Sequence, residues 1–351
     1  MKTKVLVYGA NGYTGELITR FAKDFGIEPI VAGRTEATVV EVAHRYNLPY
    51  HVFSLDDTEA LVNALKHVAV VIHAAGPFHY TAKQMVEACI ATGTHYIDIN
   101  GDTSVFEFIK RYDAKAKAAN VMLLPGSGFD VVPTDCLAYS LKEQMPDATH
   151  IEIAFLPRGG GGVSHGTATT MASKAGEGGC VRENGSIKRT PLGHKGKWIS
   201  VNGKKIFAMS IPWGDISTAY TSTAIPNIIT YTAMKPSVYR VLKFQFLFNW
   251  LLRMGWIRNI IQNKINKRST GPSDEQRKNG KTYVWAQVSN AKGETKTAAI
   301  QTNDGYTVTY EAALIIARKI LNGYCKPGYQ TPAACYGASL IFELSGTKEL
   351  Q

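Results

Sequence analysis

The alternation of short apolar runs with helical patterns over the first 125 residues is the feature that most constrains the fold. Six runs have the length and character of buried strands, and the segments between them place apolar residues at helical spacing. The strands are predicted at residues 4–8, 29–32, 51–53, 68–73, 95–99 and 121–124. Parallel strands with helices on both faces have this pattern. The sequence therefore predicts an α/β fold with an N-terminal doubly wound parallel sheet of the Rossmann type.

A glycine-rich turn follows the first predicted strand and opens the first predicted helix. Gly9, Gly12 and Gly15 have the spacing G-x-x-G-x-x-G. Glycine lets the backbone turn tightly and approach a pyrophosphate at a helix N-terminus. The position between a strand and a helix favours a dinucleotide site over a tight turn without a ligand. The residues predicted to contact the cofactor here are Gly9, Asn11, Gly12, Tyr13, Thr14 and Gly15.

The end of the second predicted strand indicates which dinucleotide binds. NAD sites usually have Asp or Glu there for the ribose 2′-hydroxyl, whereas this chain has Gly33, Arg34 and Thr35. A guanidinium suits a 2′-phosphate, so NADP is the predicted cofactor; the alternative is that Arg34 is a solvated surface residue. Small residues follow the fourth strand, where the chain must pass close to the cofactor: Ala74, Ala75 and Gly76.

The net charge of +11 is unevenly distributed. Residues 1–130 contain 12 Lys and Arg against 14 Asp and Glu, and residues 131–351 contain 27 against 14. Basic charge attracts anionic ligands, membrane surfaces and nucleic acid alike. No nucleic-acid recognition motif accompanies it, so no nucleic-acid partner is predicted. The five cysteines contain no C-x-x-C, which disfavours disulfide or zinc frameworks and predicts a cytoplasmic protein without a metal.

Several motifs together resemble one family. The segments GANGYTG, VAGRT, HAAGPF, YIDINGD and GSGFDVVPTD resemble those of the saccharopine dehydrogenase-like oxidoreductases, in particular the subgroup of trans-acting enoyl reductases. The chain lacks the G-x-G-x-x-G loop of true saccharopine reductases, which argues against lysine metabolism. Ser54 stands where related chains often have an acid near the adenine, and it is the predicted adenine contact.

The resemblance implies a domain organisation with which the sequence agrees. Residues 1–129 are predicted to form the NADP-binding Rossmann domain, and residues 130–309 a mixed α/β substrate or oligomerisation domain. Residues 310–351 are predicted to be helices that return to the first domain, because 310–321 and 333–344 are strongly apolar at helical spacing. The second domain could also form the interface of a homodimer.

Two residues are candidates for the proton donor. Asp130 follows the glycine-rich turn at 126–128, and a carboxyl can donate a proton there only if its pKa is raised. His165 follows a run of glycines at 159–162 and could act as an acid or an orienter of a substrate lid. The alternative for His165 is an exposed histidine in a connecting loop. For the segment after Asp130, the alternative is structural, with Asp135 capping the next helix.

The segment 235–268 is the most unusual part of the sequence. It contains eight Lys and Arg, no Asp or Glu, and an intensely apolar centre at 244–252. Without a clean polar stripe, this centre is predicted to be embedded on most sides, in the domain core or a dimer interface. The alternative is an interfacial helix or acyl wall, with peripheral membrane contact through residues 236–262.

The predicted function is hydride transfer between NADP(H) and an unsaturated or carbonyl carbon. The resemblance implies an acyl or lipid-like small-molecule substrate, while the cofactor supplies the chemistry and the protein orients the reactants. The alternative function is non-catalytic: an NADP-binding redox sensor or a membrane-associated scaffold.

Overall fold

The chain divides into two compact units. The computed structural model describes residues 2–159, 162–266 and 271–350. Unit 1 comprises residues 1–132 and 306–335, and unit 2 comprises residues 133–305 and 336–351.

Strands and helices alternate through the first part of unit 1. The strands are β1 (Lys4–Tyr8), β2 (Ile30–Gly33), β3 (Tyr50–Val52), β4 (Val68–His73), β5 (His95–Asp98) and β6 (Met122–Leu124). The helices are α1 (Tyr13–Phe21), α2 (Glu36–Tyr46), α3 (Thr58–Leu65), α4 (Phe78–Thr92), α5 (Thr103–Lys110) and α6 (Asp113–Ala118). A short 3-10 turn at Ala22–Phe25 extends α1. Asp57 caps α3 by accepting a hydrogen bond from the Ala60 N–H at 3.0 Å, as its position before the helix predicts.

The strands of unit 1 form a parallel sheet in the order β6-β5-β4-β1-β2-β3. This arrangement confirms the predicted doubly wound sheet. Leu6 of β1 pairs with Ile30 on one side and Val71 on the other, and all three are buried. The strand order reverses between β1 and β4, and ligands of such sheets bind at the carboxyl ends of the strands at this point. The loops 9–15 and 74–76 leave the sheet there.

Unit 2 is built on a second sheet. Its helices are α7 (Val132–Gln144), α8 (His165–Ser173), α9 (Asp215–Thr223), α10 (Pro236–Leu242), α11 (Asn249–Leu252), α12 (Gly255–Asn266) and α13 (Asp274–Asn279). Its strands are β7 (His150–Arg158), β8 (Gly179–Glu183), β9 (Ser186–Thr190), β10 (Gly196–Val201), β11 (Lys204–Ser210), β12 (Asn227–Ala233), β13 (Lys281–Ser289) and β14 (Thr295–Asn303).

The second sheet is mixed. Its main path is β10-β11-β12-β7-β13-β14, and β8 joins it through β12 and pairs with β9. The alternating polarity of 149–155, 282–288 and 298–302 predicts antiparallel strands, and β13 pairs antiparallel with both β7 and β14. The pairing of β7 with β12 is parallel instead. Alternation reports a half-buried face but not the direction of the neighbouring strand.

The last part of the chain contributes elements to both units. It contains α14 (Gly305–Leu321), β15 (Gly328–Tyr329), α15 (Pro332–Tyr336) and β16 (Lys348–Leu350). In unit 1, β15 adds a parallel strand beside β6. The prediction that all of residues 310–351 pack on the first domain needs correction, because residues 336–351 belong to unit 2, where β16 pairs with β14. The predicted helix over 333–344 is also interrupted, at Gly337, where φ is 81°.

Candidate functional site

Two loops meet at the carboxyl edge of β1 and β4. Gly9 has φ 88°, and a side chain there would place its Cβ 2.8 Å from the Ala75 amide nitrogen. A Cβ on Gly15 would overlap the Gly9 carbonyl oxygen. The Ala74 N–H donates to the Tyr8 carbonyl at 2.8 Å, and the Thr81 hydroxyl donates to the Ala75 carbonyl at 2.8 Å. Glycine is therefore required at position 9 by the close approach of the 74–76 loop, and at position 15 by the Gly9 carbonyl of the same loop.

The N-terminus of α1 points its backbone groups at this edge. Gly12 is the residue before the helix and contributes no capping side chain. The first N–H groups of a helix without a side-chain cap are available to an anion such as a pyrophosphate. Tyr13 and Thr14 begin the helix, and the Asn11 side-chain oxygen lies beside Gly33 at the end of β2. The loop thus spans the two strands between which a dinucleotide would extend.

Arg34 leaves the end of β2 as an exposed cation. Its guanidinium makes no hydrogen bond or ion pair with the residues that the structure describes. It lies near Tyr8, whose hydroxyl donates to the Phe53 carbonyl at 3.1 Å. Burial raises the pKa of Tyr8 to about 12, and the positive charge of Arg34 opposes this rise. Thr35 follows and precedes α2, while Ser54 lies after β3 and its hydroxyl is 3.3 Å from the Asp56 carboxylate.

A buried hydrogen-bonded chain lies beneath the two loops. The Tyr96 hydroxyl is 3.3 Å from His73 Nδ1 and donates to Asp98 Oδ2 at 2.6 Å. The other oxygen of Asp98 accepts the N–H groups of Asn100 and Gly126 at 3.0 and 2.8 Å. Burial raises the pKa of Asp98 to about 6, although these hydrogen bonds oppose the rise, and burial lowers that of His73 to about 3. The chain ties the ends of β4, β5 and β6 together.

The motif YIDINGD carries the family resemblance but does not by itself predict this network of His73, Tyr96 and Asp98. The signal available was a polar residue at the end of each of two buried strands, His73 and Asp98. Strand ends at this edge are where polar side chains meet in a parallel sheet.

Asp130 lies on the same edge, in the loop after β6 and against the loop after β5. Its carboxyl lies against Gly101, where a Cβ would overlap the carboxyl oxygen. It accepts no hydrogen bond from the part of the chain that the structure describes. Burial raises its pKa to about 7. Near neutral pH this carboxyl can therefore give up or take a proton.

The other candidate donor belongs to unit 2. His165 is half-buried and is the first residue of α8, where Ser164 caps the helix by accepting from the Thr167 N–H at 3.3 Å. Residues 160 and 161 of the preceding glycine run lie outside the described residues. Asp135 is buried in α7 and accepts a hydrogen bond from the Ser222 hydroxyl. This contact gives Asp135 a structural partner in α9.

The segment from α10 to α12 exposes many of its large apolar side chains. The exposed ones include Val238, Val241, Phe244, Phe246, Leu247, Trp250, Trp256 and Ile260, whereas Ile265 is buried. Phe246 is 71% and Trp250 62% accessible. The prediction that the centre is embedded in the domain core is therefore wrong, while its placement in a dimer interface stays a prediction. Among the described residues no helix is long and apolar enough to span a bilayer.

Three polar side chains of the same segment bond to the backbone of unit 2. Gln245 is buried and exchanges hydrogen bonds with the backbone of Leu192, at 2.8 and 3.1 Å. Arg253 donates to the Gly176 carbonyl at 2.8 Å, and Arg258 donates to the Ala175 carbonyl at 3.2 Å. These bonds anchor the segment through polar side chains, while Phe246 and Trp250 lie at the surface. Residues 267 and 268, at its C-terminal end, lie outside the described residues.

The N-terminal part of the chain matches a known family model. Residues 5–124 match the family model of the saccharopine dehydrogenase NADP binding domain. A lipid droplet localized protein of Caenorhabditis elegans is 29% identical over 163 residues, which cover 42% of this chain and 38% of that protein. The human saccharopine dehydrogenase-like oxidoreductase is 26% identical over 151 residues, covering 37% and 35%. A Mycobacterium tuberculosis protein named as a trans-acting enoyl reductase is 26% identical over 183 residues, covering 48% and 43%. Each match spans less than half of the relative.

The whole fold is shared with solved enzymes of low sequence identity. The saccharopine dehydrogenase of Saccharomyces cerevisiae superposes with a TM-score of 0.67 at 15% identity, over 99% of both chains. The homospermidine synthase of Legionella pneumophila gives a TM-score of 0.64 at 11% identity, over 99% of this chain and 92% of that one. These two similarities establish the architecture of the chain.

Proposed function

We propose that this chain, whose N-terminal domain belongs to the saccharopine dehydrogenase NADP-binding family, is an NADP(H)-dependent oxidoreductase. It would transfer hydride between the nicotinamide and an unsaturated or carbonyl carbon. The observation that carries the proposal is Asp130, a carboxyl with a pKa near neutrality on the sheet edge that holds the dinucleotide loop. Reduction of such a carbon needs a proton as well as a hydride, and this group can supply it.

Different residues of unit 1 would contact different parts of the cofactor. NADP supplies the hydride chemistry when it is bound. Gly9, Gly12 and Gly15 allow close approach to the pyrophosphate, and the first turn of α1 offers its N–H groups. Arg34 would pair with the 2′-phosphate, with Thr35 beside it. Ala74, Ala75 and Gly76 leave room where the chain passes the cofactor.

An acyl or lipid-like substrate is the substrate class that we propose. The names of two relatives, one a lipid droplet localized protein and one an enoyl reductase, support this choice. The excess of cations in residues 131–351 suits a substrate with an acidic headgroup or carrier.

Oxidation of NADPH by a panel of enoyl and keto thioesters tests the proposal. We expect substrate-dependent loss of NADPH absorbance with at least one member, and little or no activity with NADH. Tight NADPH binding without turnover across the panel would instead support the non-catalytic alternative, a sensor that reads the redox state of the NADP pool.

The segment from α10 to α12 supports a second proposal, peripheral contact with a lipid surface. Soluble proteins rarely expose a contiguous set of large apolar side chains, and such a set marks an interface. The segment 235–266 contains six Lys and Arg and no acid, so an anionic lipid leaflet complements it in both polarity and charge. Association would be peripheral to a membrane, with the protein otherwise in the cytoplasm.

Replacing Phe246, Leu247 and Trp250 together by Ser is expected to reduce binding to liposomes by at least about tenfold, since each large side chain removed from water contributes roughly 1.5–3 kcal/mol. Flotation with anionic liposomes measures this loss. The matched control replaces Tyr324 and Phe342, which are also exposed, and should float as the wild type does. Unchanged flotation of the triple variant would contradict the proposal. A wild-type dimer that dissociates in the variant, without any flotation, would assign the surface to a homodimer interface.

A further inference from the structure

A groove with a cationic rim lies in unit 2 beside the segment just described. It is an open groove with a volume of about 440 Å³, lined by residues of β7, β10, β11 and β12 and by the residues that lead into α10. Arg158, Lys205 and Lys235 line it, and its lining contains no Asp or Glu. Three cations without a counter-charge in one concave surface favour an anion with more than one negative oxygen.

The wall of the groove is aromatic and apolar. Trp198 is 57% accessible and packs edge-on against Phe207, with ring centroids 5.4 Å apart. The Arg158 guanidinium lies over the Tyr283 ring, 5.9 Å from its centroid, which restrains this cation of the lining. A free inorganic anion would make no favourable contact with this aromatic and apolar part of the lining. An amphiphile, with a phosphate joined to an apolar body, matches both parts of the lining.

The groove is continuous with the exposed apolar surface of α10 to α12. Pro236 belongs to the groove lining and is also the first residue of α10. Tyr239, on the same helix, packs against Phe207 with ring centroids 5.2 Å apart. Val238 and Val241 of this helix then begin the exposed apolar surface. A lipid whose phosphate lies in the groove would therefore have its acyl chains beside that surface.

We propose that this groove binds the phosphate headgroup of an anionic phospholipid, and that the chain thereby selects anionic over zwitterionic leaflets. The proposal rests on the membrane contact proposed above and adds the headgroup site. Arg158, Lys205 and Lys235 neutralise the phosphate oxygens, while Trp198 and Phe207 contact the glycerol and the first acyl carbons.

A soluble short-chain phosphatidic acid, used below its micellar concentration, tests the groove independently of membrane binding. Quenching of tryptophan fluorescence reports binding, and Trp198→Phe identifies the signal that comes from the groove. The test variant combines Arg158→Gln, Lys205→Gln and Lys235→Gln. Its matched control combines Arg189→Gln, Lys278→Gln and Lys292→Gln, which removes the same charges from exposed positions outside the groove lining.

We expect the groove variant to bind the short-chain lipid at least about tenfold more weakly than the wild type, and the control to bind it within about threefold of the wild type. The groove variant should still bind phosphatidylcholine liposomes, whereas the Phe246, Leu247 and Trp250 variant should lose them. Equal losses in the groove and control variants would overturn the proposal, because the attraction would then be diffuse. Competition by inorganic phosphate at the same concentration as the lipid would also overturn it. If wild-type protein binds the soluble lipid but no liposome, the membrane contact fails and the headgroup site stands.

Discussion

Replacing Asp130 by Asn is expected to lower NADPH-dependent turnover by about 10²- to 10⁴-fold, the usual contribution of a positioned general acid. The amide is isosteric with the carboxyl and occupies the same space against Gly101, so the fold should tolerate it. What it lacks is an acidic proton. The cofactor loops do not include Asp130, and NADPH affinity should therefore be unchanged.

The pH dependence follows from the raised pKa of Asp130. Burial makes the charged form costly, which moves the pKa to about 7. In the reductive direction the protonated carboxyl is the active form, so kcat/KM should be constant below that pH and fall about tenfold per unit above it. The variant should lose this fall together with most of the activity.

The matched control for this substitution is Asp102→Asn. Asp102 caps α5 on the same sheet edge by accepting the Ser104 N–H at 2.9 Å, and Asn can cap a helix in the same way. The control removes the same charge but should retain wild-type activity and the fall above neutrality. A wild-type rate in Asp130→Asn, or an unaltered pH profile, would contradict the assignment and favour His165 as the donor.

Local sequence patterns were sufficient for the nucleotide-binding half of the molecule. The strand at 68–73 needed only its continuous apolar run, because a central parallel strand is buried on both faces. Gly9 and Gly15 could be identified because the backbone atoms beside each of them leave no space for a Cβ, so only glycine fits. The fold and NADP as the cofactor are confirmed. Both predictions depended on short segments in which the residues that lie close in space are also close in sequence.

Features made by distant residues could not be predicted in this way. The role of Asp98 depends on Gly126, which is 28 residues away and approaches only when β5 and β6 pair. For the segment 235–268, the sequence did not predict which side chains are exposed, because its polar and apolar residues have no helical period. Its orientation is set by Gln245 and Arg253, whose partners lie 53 and 77 residues away. The apolar composition predicted that these side chains are covered, whereas the structure places many of them at the surface.

The prediction with the second largest effect concerns Arg34. In Arg34→Gln, NADPH should bind about 100-fold more weakly, because two charge-assisted hydrogen bonds worth about 1.5 kcal/mol each are lost. Arg34 is exposed and has no ion pair among the described residues, so the fold does not depend on it. NADH lacks the 2′-phosphate and should bind to the variant and the wild type equally. The ratio of the two dissociation constants, measured by fluorescence titration, isolates the contribution of the phosphate.

Two further substitutions separate geometry from charge at this position. Arg34→Lys keeps the charge but loses the planar pair of donors, so its NADPH affinity should fall between those of Arg34→Gln and the wild type. Arg111→Gln removes an exposed arginine from unit 1 at a distance from β2 in sequence and should leave the ratio unchanged. If Arg34→Gln and Arg111→Gln weakened NADPH equally, the effect would come from the overall charge of the domain. The 2′-phosphate would then have another partner, and the interpretation of residues 33–35 as the determinant of cofactor choice would be wrong.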